Sequence, residues 1–212
     1  MSILLHRSAP LILAALVLAV SGCGGVLSSP EQRHLYQVKA ATEFAAGLPH
    51  RAVQLTIGTV DAPAGLDTER IALSRTPLSL DYFADVAWSD RVPAMVRTAL
   101  IESFENSGAF AAVGSDSFSL RADYLLKTEM RDFEAVYDSQ SGNPIVTVVL
   151  SLKLLRLPAG EIVAQTLITE REPAAANAIP DVVGTFSTTL DKALREAVGW
   201  TATHAALSPA RR

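Results

Sequence analysis

The sequence predicts an α+β fold, a two-layer sandwich in which two amphipathic helices lie on one face of a mainly antiparallel sheet. Three observations carry this expectation. Apolar residues recur at spacings of three and four across residues 90–106 and again from Pro180 to Val198. Between these segments the period changes to two in three consecutive stretches. The connections hold Gly, Pro, Asn and Asp, the residues that turns require. Elements that bury only one face need a covering layer, and helices against a sheet are the simplest way to supply it.

The first strand signals are Leu35-Tyr36-Gln37-Val38 and a clearer alternation of Val53, Leu55 and Ile57 with Gln54 and Thr56. Glu43 to Arg51 reads as the loop between them. Asp61-Ala-Pro-Ala-Gly65 is a turn, and the apolar patches Leu66–Ile71 and Leu78–Phe83 suggest two short strands around another turn. Ser89 and Asp90 are good helix caps and Pro93 suits a first turn. Val92, Met95, Val96, Ala99, Leu100, Ser103 and Phe104 then form one stripe, which Gly108 ends.

Leu120, Ala122, Tyr124, Leu126 and Met130 alternate with Arg121, Asp123, Lys127, Glu129 and Arg131, a long strand with one solvated face. Asp132 and Glu134 alternate along the strand end, where a solvated face explains them without an acid/base pair. A turn from Asp138 to Pro144 leads into a second strand with Val146, Val148, Leu150, Leu152 and Leu154 inward, and Thr147, Ser151 and Lys153 outward. Pro158-Ala-Gly160 turns the chain into a third strand marked by Ile162, Ala164 and Ile168 and ending near Pro173, so the three strands make an antiparallel meander. The last helix starts at Pro180, has Asp181 in its first turn, buries Val182 through Val198 on one stripe and stops at Gly199.

The N-terminus carries an address. His6 and Arg7 precede Ala9–Val20, twelve residues without a charge, and Ser21-Gly22 leads into Cys23, the only cysteine among 212 residues. Twelve residues rise about 18 Å as a helix, short of the roughly 30 Å hydrocarbon core of a bilayer, so a cleaved signal segment fits better than a permanent span. Val20-Ser-Gly-Cys23 resembles the bacterial lipobox, which implies diacylglycerol on the Cys23 thiol and cleavage just before it. Several acyl chains make a stable anchor, since each buried CH₂ adds about 0.8 kcal/mol. The expected organisation is a signal peptide over 1–22, a lipidated flexible tether over 23–33, one α+β domain over 34–200 and a disordered tail over 201–212.

Composition narrows the chemistry. Hydrophobic residues at 49% and charged residues at 19% supply a core and exclude a disordered chain. A net charge of −4, with only four lysines, leaves no broad cationic surface, so nucleic acid is not an expected partner. His34, His50 and His204 lie far apart in the chain with no free cysteine beside them, which argues against a metal site. Gly114-Ser-Asp-Ser117 is no nucleophile elbow, and there is no phosphate-binding glycine loop. The residues ask for no catalytic group and no cofactor.

Three segments in order, Leu66-Asp67-Thr68-Glu69-Arg70-Ile71, then Tyr82 through Trp88 to Pro93, then the meander with its C-terminal helix, resemble the ABC-type transport auxiliary lipoproteins, the family that includes paraquat-inducible protein C. The resemblance runs from about Leu35 to Val198. It implies a non-catalytic lipoprotein tethered to the periplasmic face of the outer membrane. It would assist an MCE-family periplasmic protein, and indirectly an ABC permease and ATPase, in moving phospholipid or another hydrophobic substrate. Gly24 rather than Asp after the cysteine leans toward the outer membrane, with inner-membrane anchoring the second choice. Self-assembly into a homo-oligomer is compatible with this reading. The alternative is an interaction lipoprotein for envelope assembly or for activating a peptidoglycan synthase. The expected partner contact comprises Asp67, Arg70, Tyr82 and Trp88. Asp67 and Arg70 could pair within the turn or face a partner; Trp88 could be a core anchor or an interface aromatic.

Overall fold

The structure, a computed structural model, describes residues 33–115, 122–137 and 142–205. The expected signal segment, Cys23 and the tether up to residue 32 lie outside the described residues, as do Leu120, the start of the turn at Asp138 and the end of the tail.

The described chain forms β1 (His34–Tyr36), β2 (Arg51–Asp61), β3 (Ala72–Ser74), β4 (Asp81–Tyr82), β5 (Val86–Trp88), α1 (Val92–Asn106), β6 (Phe110–Ser115), β7 (Tyr124–Val136), β8 (Ile145–Arg156), β9 (Glu161–Pro173) and α2 (Ile179–His204). The fold is α+β, as the periodicities imply. Strands β7, β8 and β9 are the expected antiparallel meander, running from Tyr124↔Arg156 to Val136↔Ile145 and from Ile145↔Pro173 to Arg156↔Glu161.

The other long edge of β7 is shared. Its first half pairs with β2 in parallel, Leu55↔Tyr124 to Asp61↔Glu129, and its end pairs with β3, Leu73↔Ala135. Strand β6 adds to β2, again in parallel, and β4 adds to β3. The sheet is therefore mixed, with its longest ladders antiparallel. Strands β1 and β5 form a separate parallel pair, Tyr36↔Trp88.

The apolar stripes dictate where the helices go. Helix α1 packs on β2 and β6, α2 on β8 and β9, and the helices touch each other. All seven residues of the predicted α1 stripe are buried. The inner face of the sheet beneath the two helices supplies Leu55, Ile57, Leu126, Met130, Leu150, Leu152 and Leu154, each fully excluded from solvent. Ahead of β2 the chain is strapped to α1: the Ser103 hydroxyl accepts the Ala41 N–H at 2.9 Å, and Asn106 donates to the Ala41 carbonyl at 3.0 Å.

Several expectations change. Ser89 and Asp90 do not cap α1; Arg91 holds the cap position without a side-chain bond, and Pro93 alone fixes the first turn. Leu66–Ile71 is not a strand. Two of its N–H groups, those of Leu66 and Asp67, bond the Pro63 carbonyl at 2.8 and 3.0 Å, which closes a turn, and strand pairing begins only at Ala72. Gly199 does not stop α2. The helix runs on to His204 because Thr201, Ala202 and Ala205 continue the buried stripe, and Thr201 satisfies its hydroxyl on the Ala197 carbonyl at 2.7 Å. The tail expected from residue 201 is thus helical at its start.

Strand β7 also shifts phase. A bulge between Met130 and Asp132 turns Phe133 and Ala135 inward, both essentially buried. Asp132 and Glu134 keep to the outer face only because of it.

On the helix side of β9, burial raises the pKa of the Glu170 carboxyl, with the nearby Glu196 and Glu172 adding to the rise and Lys192 opposing it. The folded state then holds this proton more tightly than the unfolded chain, so stability from the group is full in acid and lost as pH rises through its folded pKa. Glu170→Gln is expected to melt higher than the parent at neutral pH, with the difference closing below about pH 4. Thermal unfolding at both pH values checks this; equal melting at neutral pH would contradict it.

Candidate functional site

The segments expected to meet a partner converge at one end of the fold, where the 61–71 turn, the β3–β4 hairpin, β5 and the start of α1 meet. The turn is stitched to its neighbours through backbone groups. Its Glu69 carbonyl accepts the Trp88 N–H at 2.7 Å and its Thr68 carbonyl accepts the Val92 N–H at 3.0 Å. The Tyr82 hydroxyl donates to the Gly65 carbonyl at 2.9 Å.

Asp67 and Arg70 do not pair with each other. Asp67 forms an ion pair with Arg91, immediately before α1, while the Arg70 guanidinium stacks 3.7 Å from the centre of the Tyr82 ring. The Arg91 and Asp67 side chains remain 58% and 35% exposed, so the pair contributes only about 0.2–1 kcal/mol. Its value lies in orientation. A shallow cavity of about 260 Å³ opens beside it, bordered by Asp67, Arg91, Thr59 and Arg97. Arg97 donates from Nε to the Gly58 carbonyl at 3.1 Å, tying α1 to β2.

Trp88 lies beneath this surface and is fully buried. Its indole meets Phe186 of α2 edge-on at 5.4 Å and Phe133 of β7 at 5.7 Å, and the two phenyl rings lie 4.9 Å apart. Its geometry is that of a core anchor, and its indole offers no face to a partner. Among the described residues the buried indole Nε1 has no hydrogen-bond partner.

The structure thus groups Asp67, Arg70 and Tyr82 on one surface, puts Trp88 below it, and adds Arg91 and Arg97. Sequence spacing could not single out Arg91, because the 24 residues that separate it from Asp67 are closed only by the tertiary fold. Among the described residues, no three His, Cys, Asp or Glu side chains converge as metal ligands. His34, His50 and His204 lie in β1, in the loop before β2 and in the last turn of α2. Among the described residues no helix is long and apolar enough to cross a membrane.

Comparison with known proteins places this arrangement. Residues 35–198 match the family described as the ABC-type transport auxiliary lipoprotein component. The protein bll6063 of Bradyrhizobium diazoefficiens is 29% identical over 180 residues, covering 82% of this chain. The chain spans about half, 46%, of the length of that curated relative. The crystal structure of protein XCC0632 from Xanthomonas campestris superposes with a TM-score of 0.76 at 28% identity, over 80% of this chain and 95% of that one. A second crystal structure, 14% identical with a TM-score of 0.61 over 79% of this chain and 97% of its own, shares the fold.

The packing predicts distinct mutational costs. Trp88→Ala removes the indole from the ring cluster and is expected to lose about 3–5 kcal/mol in urea unfolding. Tyr82→Phe removes only the bond to the Gly65 carbonyl and should cost about 0.5–1.5 kcal/mol. A Trp88→Ala protein as stable as the parent would show that the cluster does not hold this end of the fold together.

Proposed function

The chain belongs to the ABC-type transport auxiliary lipoprotein family, and from that membership we propose that it is the non-catalytic, acyl-anchored accessory of an MCE-type transporter. In this reading Cys23 carries the acyl chains and holds the protein on the periplasmic face of the outer membrane. The folded domain binds and positions an MCE-family periplasmic protein. An ABC permease and ATPase in the inner membrane supply the energy for moving phospholipid or another hydrophobic substrate.

The observation that carries the reading is the family match across residues 35–198, which includes the turn bearing Asp67 and Arg70. The geometry supports a docking role for that turn. Its backbone is fixed by the bonds to Trp88 and Val92, while Asp67, Arg70 and Arg91 keep charge on the surface. Exposed charges on a rigid frame add little stability but set orientation and encounter rate for a partner.

Two experiments test it. Cys23→Ser should abolish labelling by radioactive palmitate and leave an unprocessed precursor; undiminished label would remove the lipoprotein anchor. Asp67→Ala and Arg70→Ala should fold with nearly parental melting temperatures yet lose capture of the transporter's MCE protein from crosslinked envelopes. Full capture by both variants would place the contact elsewhere.

A further inference from the structure

The helices cover one face of the sheet, and the other face carries an ordered sequence of side chains that the docking surface does not use. Strand register sets it out as three successive rows. In the first, Leu125, Leu155 and Ile162 are cross-strand partners on β7, β8 and β9. Ile162 is 52% exposed and the two leucines are half-buried. In the second, Lys127 stands directly opposite Lys153. In the third, Asp61 stands directly opposite Glu129 across the β2–β7 ladder, with Ser151 next on β8. Residues two apart on a strand share a face at a separation of about 7 Å, so the rows follow one another at that step.

The charges are segregated rather than interleaved. Like charges directly opposite on neighbouring strands repel, and a sheet selected for stability alone places opposite signs there. Here a basic pair and an acidic pair lie side by side, and both line one concave site of about 480 Å³. Lys127, Lys153 and Asp61 make no ion pair among the described residues; Glu129 reaches Arg131 at 3.7 Å, both side chains half-exposed. That volume is within the usual range of small-molecule sites.

An apolar row, then a cationic row, then an anionic row is the complement of a molecule that carries hydrocarbon, then an anion, then a cation. We propose that this face binds a glycerophospholipid with a zwitterionic aminophosphate headgroup, of the phosphoethanolamine type. The phosphate sits between the Lys127 and Lys153 ammonium groups. The ligand's ammonium reaches the Asp61 and Glu129 carboxylates, and the start of the acyl chains lies along Leu125, Leu155 and Ile162. The ligand supplies the opposite charge that Lys127, Lys153 and Asp61 lack in the free sheet. This deepens the transport reading by giving the chain itself a lipid ligand, at a site separate from the partner contact.

The test titrates the full acylated chain, held in a maltoside detergent, with three probes followed by calorimetry. These are dihexanoylphosphatidylethanolamine, dihexanoylphosphatidylglycerol, which lacks the ammonium, and glycerophosphoethanolamine, which lacks the acyl chains. Saturable binding is expected, tightest for the first probe. Lys127→Gln and Lys153→Gln should each weaken it on the order of tenfold. Asp61→Asn should weaken the ethanolamine lipid while leaving the glycerol lipid unchanged. Neither lysine variant should melt lower than the parent, since each relieves a like-charge contact.

Absence of saturable binding overturns the proposal. So does equal binding of the two lipids with no effect of Asp61→Asn, which would mark a plain anion site. Glycerophosphoethanolamine binding as well as the lipid would make the ligand a free headgroup and overturn the lipid assignment. Lysine variants that lose binding only together with thermal stability would assign those side chains to the fold. Capture of the MCE protein is measured separately: its loss with lipid binding intact removes the transporter reading alone, and the converse removes only this one.

Discussion

The burial of Trp88 against Phe133 and Phe186 is the contact on which this architecture rests. It joins three parts of the chain that have no local reason to meet: the short strand β5, the central strand β7 and the long helix α2. Aromatic pairs at such spacing contribute about 0.5–1.5 kcal/mol beyond the area they bury, and their tilted and edge-on geometry fixes relative orientation as well as distance. Because β5 is held at this point, the backbone bonds from Glu69 and Thr68 to Trp88 and Val92 hold the 61–71 turn too. The family-bearing surface is therefore an extension of the core.

A second consequence follows from covering the sheet on one side only. Strand β8 is central in the meander, paired on both edges, and its outward Thr147, Val149 and Ser151 are nearly as buried as its inward residues. The open face is thus well packed between strands while presenting Lys127, Lys153, Asp61 and Ile162 to its surroundings. A lipoprotein tethered by its N-terminus would have two separate working surfaces: a rigid charged turn at one end of the fold and a patterned sheet face. Neither needs a catalytic group. Under the proposed function both would work by positioning, as an accessory subunit does whose energy source lies in another protein.

The bulge after Met130 shows how little separates a regular strand from the observed one. The sequence contains the signal, since the inward apolar residues go from Met130 to Phe133, a step of three where a strand takes two. Reading Asp132 and Glu134 as the outer face gave the right face without recognising the shift that keeps them there. The phase change matters to the whole fold, because Phe133 is the ring that β7 contributes to the Trp88 cluster.

Both helices, their buried stripes and the three-stranded meander were legible in the sequence alone. Each is written in local period or local motif: a stripe at three and four, an alternation at two, a turn residue at a fixed offset. The tertiary structure decided what depends on distant partners. The parallel pairing of β2 with β6 and β7, the extension of α2 beyond Gly199, the Asp67–Arg91 ion pair and the charge rows across β2, β7 and β8 all join residues far apart in the chain. Spacing along a sequence records which face a residue occupies, but not which distant face it meets. That is set by how the layers pack and by the register of strands brought together from separate regions.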